Sequence, residues 1–184
     1  GGWLFDDYPN IVDNPGVQPS QASLPALVNA ALSSPASDFK RPLASLSFAA
    51  NYLATGLDPF GWKLVNLVIH LLNGVLVYLL ARRLLALAAA RDPRAGRDTR
   101  RHDLVAALIA GGWLLLPINL TGVLYVVQRM ESLANLCVLA GLLGYVAGRQ
   151  RMRAGRPRGG LALAVASLLL GTGIGLLAKE TAVM

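Results

Sequence analysis

The sequence is poor in the groups that wet a surface. Of its 184 residues, 15% are charged, against about 25% in soluble domains. Hydrophobic residues make up 54% and mean hydropathy is +0.50. The single cysteine, Cys137, rules out a disulfide scaffold within the chain. The two histidines, His70 and His102, do not fall at ligand spacing, so no zinc site is expected. No Ser–His–Asp set and no intramembrane His–Glu motif is present. The glycine-rich stretch Gly171-Thr172-Gly173-Ile174-Gly175 lacks the trailing Lys-Ser/Thr of a phosphate loop, and close helix packing explains it. What is present instead is long apolar runs. They leave an integral membrane protein, read as an all-α polytopic helical bundle.

Charge is unevenly spread. The net +7 could suggest nucleic acid. However, twelve arginines against three aspartates, within Arg82–Asp103 and Arg149–Arg158, give +9 and leave −2 for everything else. Arginine-rich short loops between apolar runs follow the positive-inside rule and belong to a membrane protein's cytoplasmic side. No RNA-type aromatic or glycine motif lies among them, so no nucleic-acid partner is expected.

Residues 1–60 form a polar, proline-punctuated segment read as an extracytoplasmic loop. Within it, helices are predicted from about 24 to 33 and from Ala44 to Ala54, lying on the membrane surface. Residues 61–178 are read as a four-span bundle with basic cytoplasmic loops at 86–103 and 148–160. The spans run from about Trp62 to Leu85, from Leu104 to a break at Pro117-Ile118-Asn119, from Leu133 to Ala147 and from Leu161 to Ala178. The apolar Leu120–Val127 after the break reads as a re-entrant or surface piece. Residues 179–184 begin the next extracytoplasmic segment. The opening GGWLFDDYPN offers no secretory leader and is read as internal to a longer protein.

With both basic loops inside, one outer face collects Asp6, Asp7, Lys40, Arg41, Gln128, Arg129, Glu131, Lys179 and Glu180. Of the adjacent Asp6 and Asp7, one is expected to be chemical, as a general base, and the other structural. The plain alternative is an Asp-rich turn. Arg41 suits a bidentate contact to phosphate, or else headgroup anchoring. Arg129 and Lys179 each stand beside a glutamate, Glu131 and Glu180, and each pair can instead simply neutralise itself. Asn66, His70 and Asn73 share one face of the first span and imply a buried hydrogen-bond network or a wet cavity. Such a face suits an anionic, lipid-linked substrate.

The motifs are also similar to a known family. The run Phe5-Asp6-Asp7-x-x-Asn10-Ile11-x-x-Asn14-Pro15 resembles the first outer loop of GT-C superfamily membrane glycosyltransferases. The nearest branch is the transmembrane and tetratricopeptide-repeat proteins related to dolichyl-phosphate-mannose-dependent mannosyltransferases. Arg41-Pro42-Leu43, Leu46-Ser47-Phe48 and Asn51-Tyr52 continue the pattern, as do Asn66-Leu67-x-x-His70-Leu71-x-Asn73, Pro117-Ile118, Tyr125-Val126-x-Gln128-Arg129 and Lys179-Glu180. The chain departs from it at Leu116 and Lys63, where such proteins often carry histidine.

This resemblance implies inverting transfer of a sugar from a polyprenyl-phosphate carrier to a hydroxyl, on a protein or glycan, at the outer side of a bacterial inner membrane or an endoplasmic-reticulum-type membrane. Asp7, ahead of Asp6, would be the base. Arg41, Arg129 and Lys179 would neutralise the lipid phosphate, with Glu131, Glu180 and Gln128 holding them in position. Asn66, His70 and Asn73 would brace the helices beneath. No cofactor is required by the sequence, although a divalent cation is compatible with it. The expected partners are membrane lipids and, in the parent protein, a C-terminal repeat domain. The alternatives are a non-catalytic scaffold that keeps the bundle and, with less support, a small transporter. An enzyme needs a wet cavity open sideways to lipid, whereas a scaffold would have its cations paired and covered.

Overall fold

A computed structural model of the chain describes residues 2–90 and 99–183. The described residues contain helices and turns but no strand. Seven α-helices follow in order: α1 Leu24–Ala31, α2 Pro42–Thr55, α3 Pro59–Ala89, α4 Thr99–Leu114, α5 Pro117–Leu124, α6 Arg129–Arg153 and α7 Pro157–Leu176. Short π and 3₁₀ turns at Tyr8–Val12, Pro15–Val17, Val126–Gln128 and Glu180–Val183 complete the path. Proline opens α2, α3, α5 and α7. Its missing N–H costs nothing in a first turn and its fixed φ is already helical.

Three helical segments are long and apolar enough to cross a membrane: Pro59–Ala89, Val126–Arg153 and Pro157–Leu176. This is a polytopic helical bundle and an integral membrane protein. The 31 residues of α3 extend about 46 Å, well beyond a hydrocarbon core of about 30 Å. Helix therefore runs farther into the basic segments than expected. α3 continues four residues past Leu85, and α6 carries Arg149, Arg151 and Arg153 in its own last turns. The second connection shrinks to residues 154–156. Much of the first, at 91–98, lies outside the described residues. Long arginine side chains can snorkel from such helix ends to water, so the helix need not stop where the charge begins.

α4 and α5 are long and apolar enough to cross only when taken together, and they are bent by 61° at Leu115–Leu116. The cause is local. Proline disfavours α conformation in the residue before it, and Leu116 is extended with φ −60°, ψ 128°. α5 buries none of its eight residues.

α6 and α7 pack antiparallel at backbone contact. A Cβ on Gly171 would lie 2.8 Å from the Cys137 carbonyl oxygen, and one on Gly148 would lie 2.6 Å from that of Gly160. Glycine is therefore obligatory at this seam. The densest apolar core lies at one end of the bundle, where Ile11, Val17, Ala44, Phe48, Trp62, Val126, Val127 and Met130 pack beneath the first loop, with Trp3, Tyr52 and Tyr125 against them. The loop is thus folded onto the ends of α3 and α6.

Candidate functional site

The residues Val127–Glu131, where α6 begins, are the meeting point of segments distant in sequence. Asp7 comes to them from the first loop. Its side chain is fully buried, with Oδ1 accepting the Val127 N–H at 2.7 Å and Oδ2 accepting the Leu4 N–H at 3.0 Å. Burial raises the Asp7 pKa above its ordinary value, against the opposing pull of those backbone donors and of Lys63. Asp6 is exposed. Its backbone N–H donates to Tyr125 Oη at 3.0 Å, which ties the residue to the C-terminal end of α5. The preceding Phe5 has φ 29°. A non-glycine residue is costly in that region, so the turn presenting Asp6 is strained. The two aspartates thus have different environments, and the one favoured from sequence, Asp7, is the enclosed one.

The outer ions pair across the chain rather than with their sequence neighbours. Lys179 Nζ lies 2.8 Å from Glu131 Oε2, and Arg41 Nη2 lies 2.8 Å from Glu180 Oε2. The expected neighbour pairs Arg129–Glu131 and Lys179–Glu180 are replaced by these. Thr181 Oγ1 also donates to Glu131, and Ser37 Oγ donates to Glu180. Burial opposes ionisation of Glu180, but the hydrogen bonds from Arg41 and Ser37, together with the Arg41 charge, outweigh it and hold the pKa at about 2. Arg41 and Lys40 both adopt positive φ, 43° and 60°. The Arg41 side chain also reaches Met130, with Nη1 3.3 Å from Sδ.

Arg129 is separate from this rim. It is fully buried, and its guanidinium donates to Asn66 Oδ1 at 2.7 Å, Asn51 Oδ1 at 2.7 Å, the Trp62 carbonyl at 3.0 Å and the Ser47 carbonyl at 3.2 Å. It also sits over the Phe48 and Trp62 rings, 5.2 and 5.3 Å from their centroids. A buried cation is held here by neutral dipoles and π faces. The phosphate role expected for Arg129 is corrected accordingly: four of its five N–H groups are committed to protein oxygens, and it ties α2, α3 and α6 together. Asn51 and Asn66, as acceptors, are functional in that knot. Asn51 had no assigned role in the sequence, where its one cue was the Asn-Tyr motif.

Asn66 also donates to the Gly122 and Val126 carbonyls. One turn deeper, His70 Nε2 pairs with the Leu114 carbonyl at 3.1 Å, and its ring stacks on Trp113. Asn73 donates to the Ile69 and Ser132 carbonyls. The shared face predicted from spacing is real. It abuts a cavity of about 180 Å³ that Gln128 and Glu131 also line. On the other side of α5, Leu4, Phe5, Pro117, Leu120, Leu124 and Tyr125 enclose an apolar groove of about 360 Å³ beside Asp6. Thr121 borders both spaces. Among the described residues, no three His, Cys, Asp or Glu side chains gather as metal ligands.

Fold and site together define a polytopic all-α membrane protein with an ionic rim and two cavities at one end. Sequence comparison gives its relatives. Over 99% of its length the chain is 34% identical to the Protein O-mannosyl-transferase Tmtc2 of Drosophila melanogaster, covering 18% of that protein. It is 31% identical over 78% of its length to Tmtc3 of the same organism, covering 17%. Identity is 30% over 78% of its length to TMTC3 of Mus musculus, covering 14%. The chain is therefore homologous to the Tmtc protein O-mannosyl-transferases, and it spans less than a fifth of the length of these curated relatives. No family model and no solved structure matches it.

Proposed function

We propose that the protein to which this chain belongs transfers a sugar, mannose by the names of its relatives, from a polyprenyl-phosphate carrier to a protein hydroxyl at the membrane face opposite the basic loops. The observation that carries this reading is the exposed Asp6, fixed by its own backbone to Tyr125 at the edge of an apolar groove. A solvent-facing carboxylate beside a lipid-compatible slot is what acceptor activation next to a lipid-linked donor requires.

In this scheme Asp6 takes the proton of the acceptor hydroxyl, and the resulting oxygen attacks the anomeric carbon. The bond from that carbon to the phosphate oxygen breaks, and the electron pair leaves with polyprenyl phosphate. Arg41 and Lys179 stabilise the charge gathering on that leaving group. Asp7 positions the loop and takes no part in proton transfer. Glu180 and Glu131 hold the two cations until an incoming phosphate competes for them. The isoprenoid chain lies in the groove formed by Leu4, Phe5, Leu120 and Leu124.

The test uses the full-length parent in lipid with a labelled polyprenyl-phosphate sugar, following release of carrier phosphate. Turnover by the parent, with loss of at least about 100-fold in a folded Asp6→Asn variant, is the expected result for removal of a general base. Undiminished transfer by Asp6→Asn would remove Asp6 from the mechanism.

A second reading is a non-catalytic scaffold. It is favoured by the pairing of both rim cations within the chain and by Leu116, whose side chain can neither donate a hydrogen bond nor carry a proton. Neither turnover nor carrier binding by the full-length protein would establish it.

A further inference from the structure

The end of the bundle opposite the rim carries charge of one sign. From residue 132 to residue 179 the chain has no Asp or Glu, whereas Arg149, Arg151, Arg153, Arg156 and Arg158 are all exposed. Among the described residues none of these arginines forms an ion pair. Their depth follows from α7. Its 20 residues rise about 30 Å, the thickness of a hydrocarbon core. Arg156 and Arg158, at its start, therefore stand at headgroup level. The seam that brings Gly148 against Gly160 sets the end of α6 beside them.

Between α3 and α6 at this end lies a cleft of about 310 Å³, lined by Leu79, Arg82, Arg83, Ala86 and Gln150. The α3 residues fall at i, i+3, i+4 and i+7, one stripe of the helix. The two arginines are not equivalent. Arg82 Nε lies 2.5 Å from Asp103 Oδ1 of α4, so its charge is met within the chain. Arg83 is half-buried and donates only through Nη1, to the Leu143 carbonyl at 3.2 Å. Leu143 precedes Arg149 in α6 by six residues, or about 9 Å of helix. The Arg83 guanidinium is thus drawn in from the arginine belt, with a neutral oxygen for partner and no carboxylate among the described residues. Gln150 lies two turns on from Leu143, on the same face of α6, and its side-chain amide has no partner among the described residues.

An uncompensated cation and an unpaired amide at the edge of a hydrocarbon core match an anion that belongs there. Basic pockets between membrane helices at this level hold acidic headgroups. Leu79 adds an apolar wall on the deeper side, which an acyl chain would use and a soluble anion would not. A polynucleotide would meet the outer arginines but leave the recessed Arg83 unused. We propose that this cleft binds the phosphate of an acidic phospholipid, with Arg83 and Gln150 donating to its oxygens and Leu79 against the start of an acyl chain. Arg153, three residues from Gln150 and on its face of α6, adds charge at the mouth. The cleft is at the far end of the bundle from Asp6, so it stands whether or not the transfer reading does.

The experiment uses the full-length parent in neutral detergent, with native mass spectrometry counting bound phosphatidylglycerol and phosphatidylcholine. Gln150→Glu and Arg158→Gln each lower the net charge by one, but only the first places a carboxylate beside Arg83. Thermal melting checks that each variant is folded. Phosphatidylglycerol should bind the unaltered protein about tenfold more tightly than phosphatidylcholine, the effect of one or two interfacial arginines. Gln150→Glu should cut that preference to about twofold or less, whereas Arg158→Gln should leave it above about fivefold. Arg83→Gln, which keeps a donor for the Leu143 carbonyl but removes the charge, should act as Gln150→Glu does. Equal losses in Gln150→Glu and Arg158→Gln would reduce the cleft to diffuse surface charge and overturn the site. So would a preference that survives both cleft variants, or none in the unaltered protein. Displacement of the bound lipid by millimolar inorganic phosphate or by an oligonucleotide would assign the arginines to a soluble anion and overturn the lipid reading.

Discussion

Arg129 and Arg41 are the same residue type at the same end of the bundle, each next to a helix start, and the fold treats them in opposite ways. Arg129 is fully enclosed and bonded to amide and carbonyl oxygens between two aromatic rings. Arg41 is partly open, strained in its backbone and bound to a carboxylate supplied from the far end of the chain. Neutral acceptors hold a cation without cancelling its charge, but once their geometry is closed they leave no room for a ligand. A carboxylate cancels the charge, yet an incoming phosphate can take its place. The first arrangement fixes helices and the second is suited to exchange.

That contrast can be broken most forcefully at Arg129. Arg129→Ala strands the buried Asn51 Oδ1 and Asn66 Oδ1 and empties the space between the Phe48 and Trp62 rings, and should cost at least about 3 kcal/mol. Arg129→Lys should recover little of this, because a point charge cannot span four acceptors in a plane. Thermal melting in detergent checks both, and a melting point within a few degrees of the unaltered protein would contradict the knot.

The aspartate pair offers the next effect. Asp7→Asn should destabilise by about 1–3 kcal/mol, since its amide nitrogen must face either the Leu4 or the Val127 N–H. Asp6→Asn should stay within about 0.5 kcal/mol. Equal melting points for the two variants would erase the distinction between them.

Acid sharpens the picture at the rim. The Glu180 pKa is depressed from 4.5 to about 2, so the stability it contributes is fully present above the unfolded value. That stability is lost as pH falls from about 4.5 through about 2. An acid titration monitored by melting temperature should show this loss, and Glu180→Gln should remove that component of it. A gain rather than a loss is expected at Lys40, whose φ of 60° is left-handed. Lys40→Gly relieves that cost and should raise stability by about 1 kcal/mol.

The helical class, the break at Pro117 and the shared face of Asn66, His70 and Asn73 were legible in the sequence because each depends on local chemistry or on helical period. Helix ends were less so, because arginines that snorkel look like loop. The pairing of Lys179 with Glu131 and of Arg41 with Glu180 was not legible. Neighbours in sequence suggested other partners, but residues one or two apart on a helix do not face each other. The division of labour between Asp6 and Asp7 was also hidden. It is set by the docking of the first loop onto Val127 and Tyr125, about 120 residues away.

Among the described residues, α5 lines both the polar cavity and the apolar groove, with Thr121 bordering both, and it buries none of its residues. Local opening costs least where little surface is packed. The amide hydrogens of residues 118–124 should therefore exchange ahead of those in α3 and α6. In kinetic terms α5 is a soft wall: the two spaces can merge by displacing eight residues, held to the Arg129 knot by the Asn66 bond to the Gly122 carbonyl.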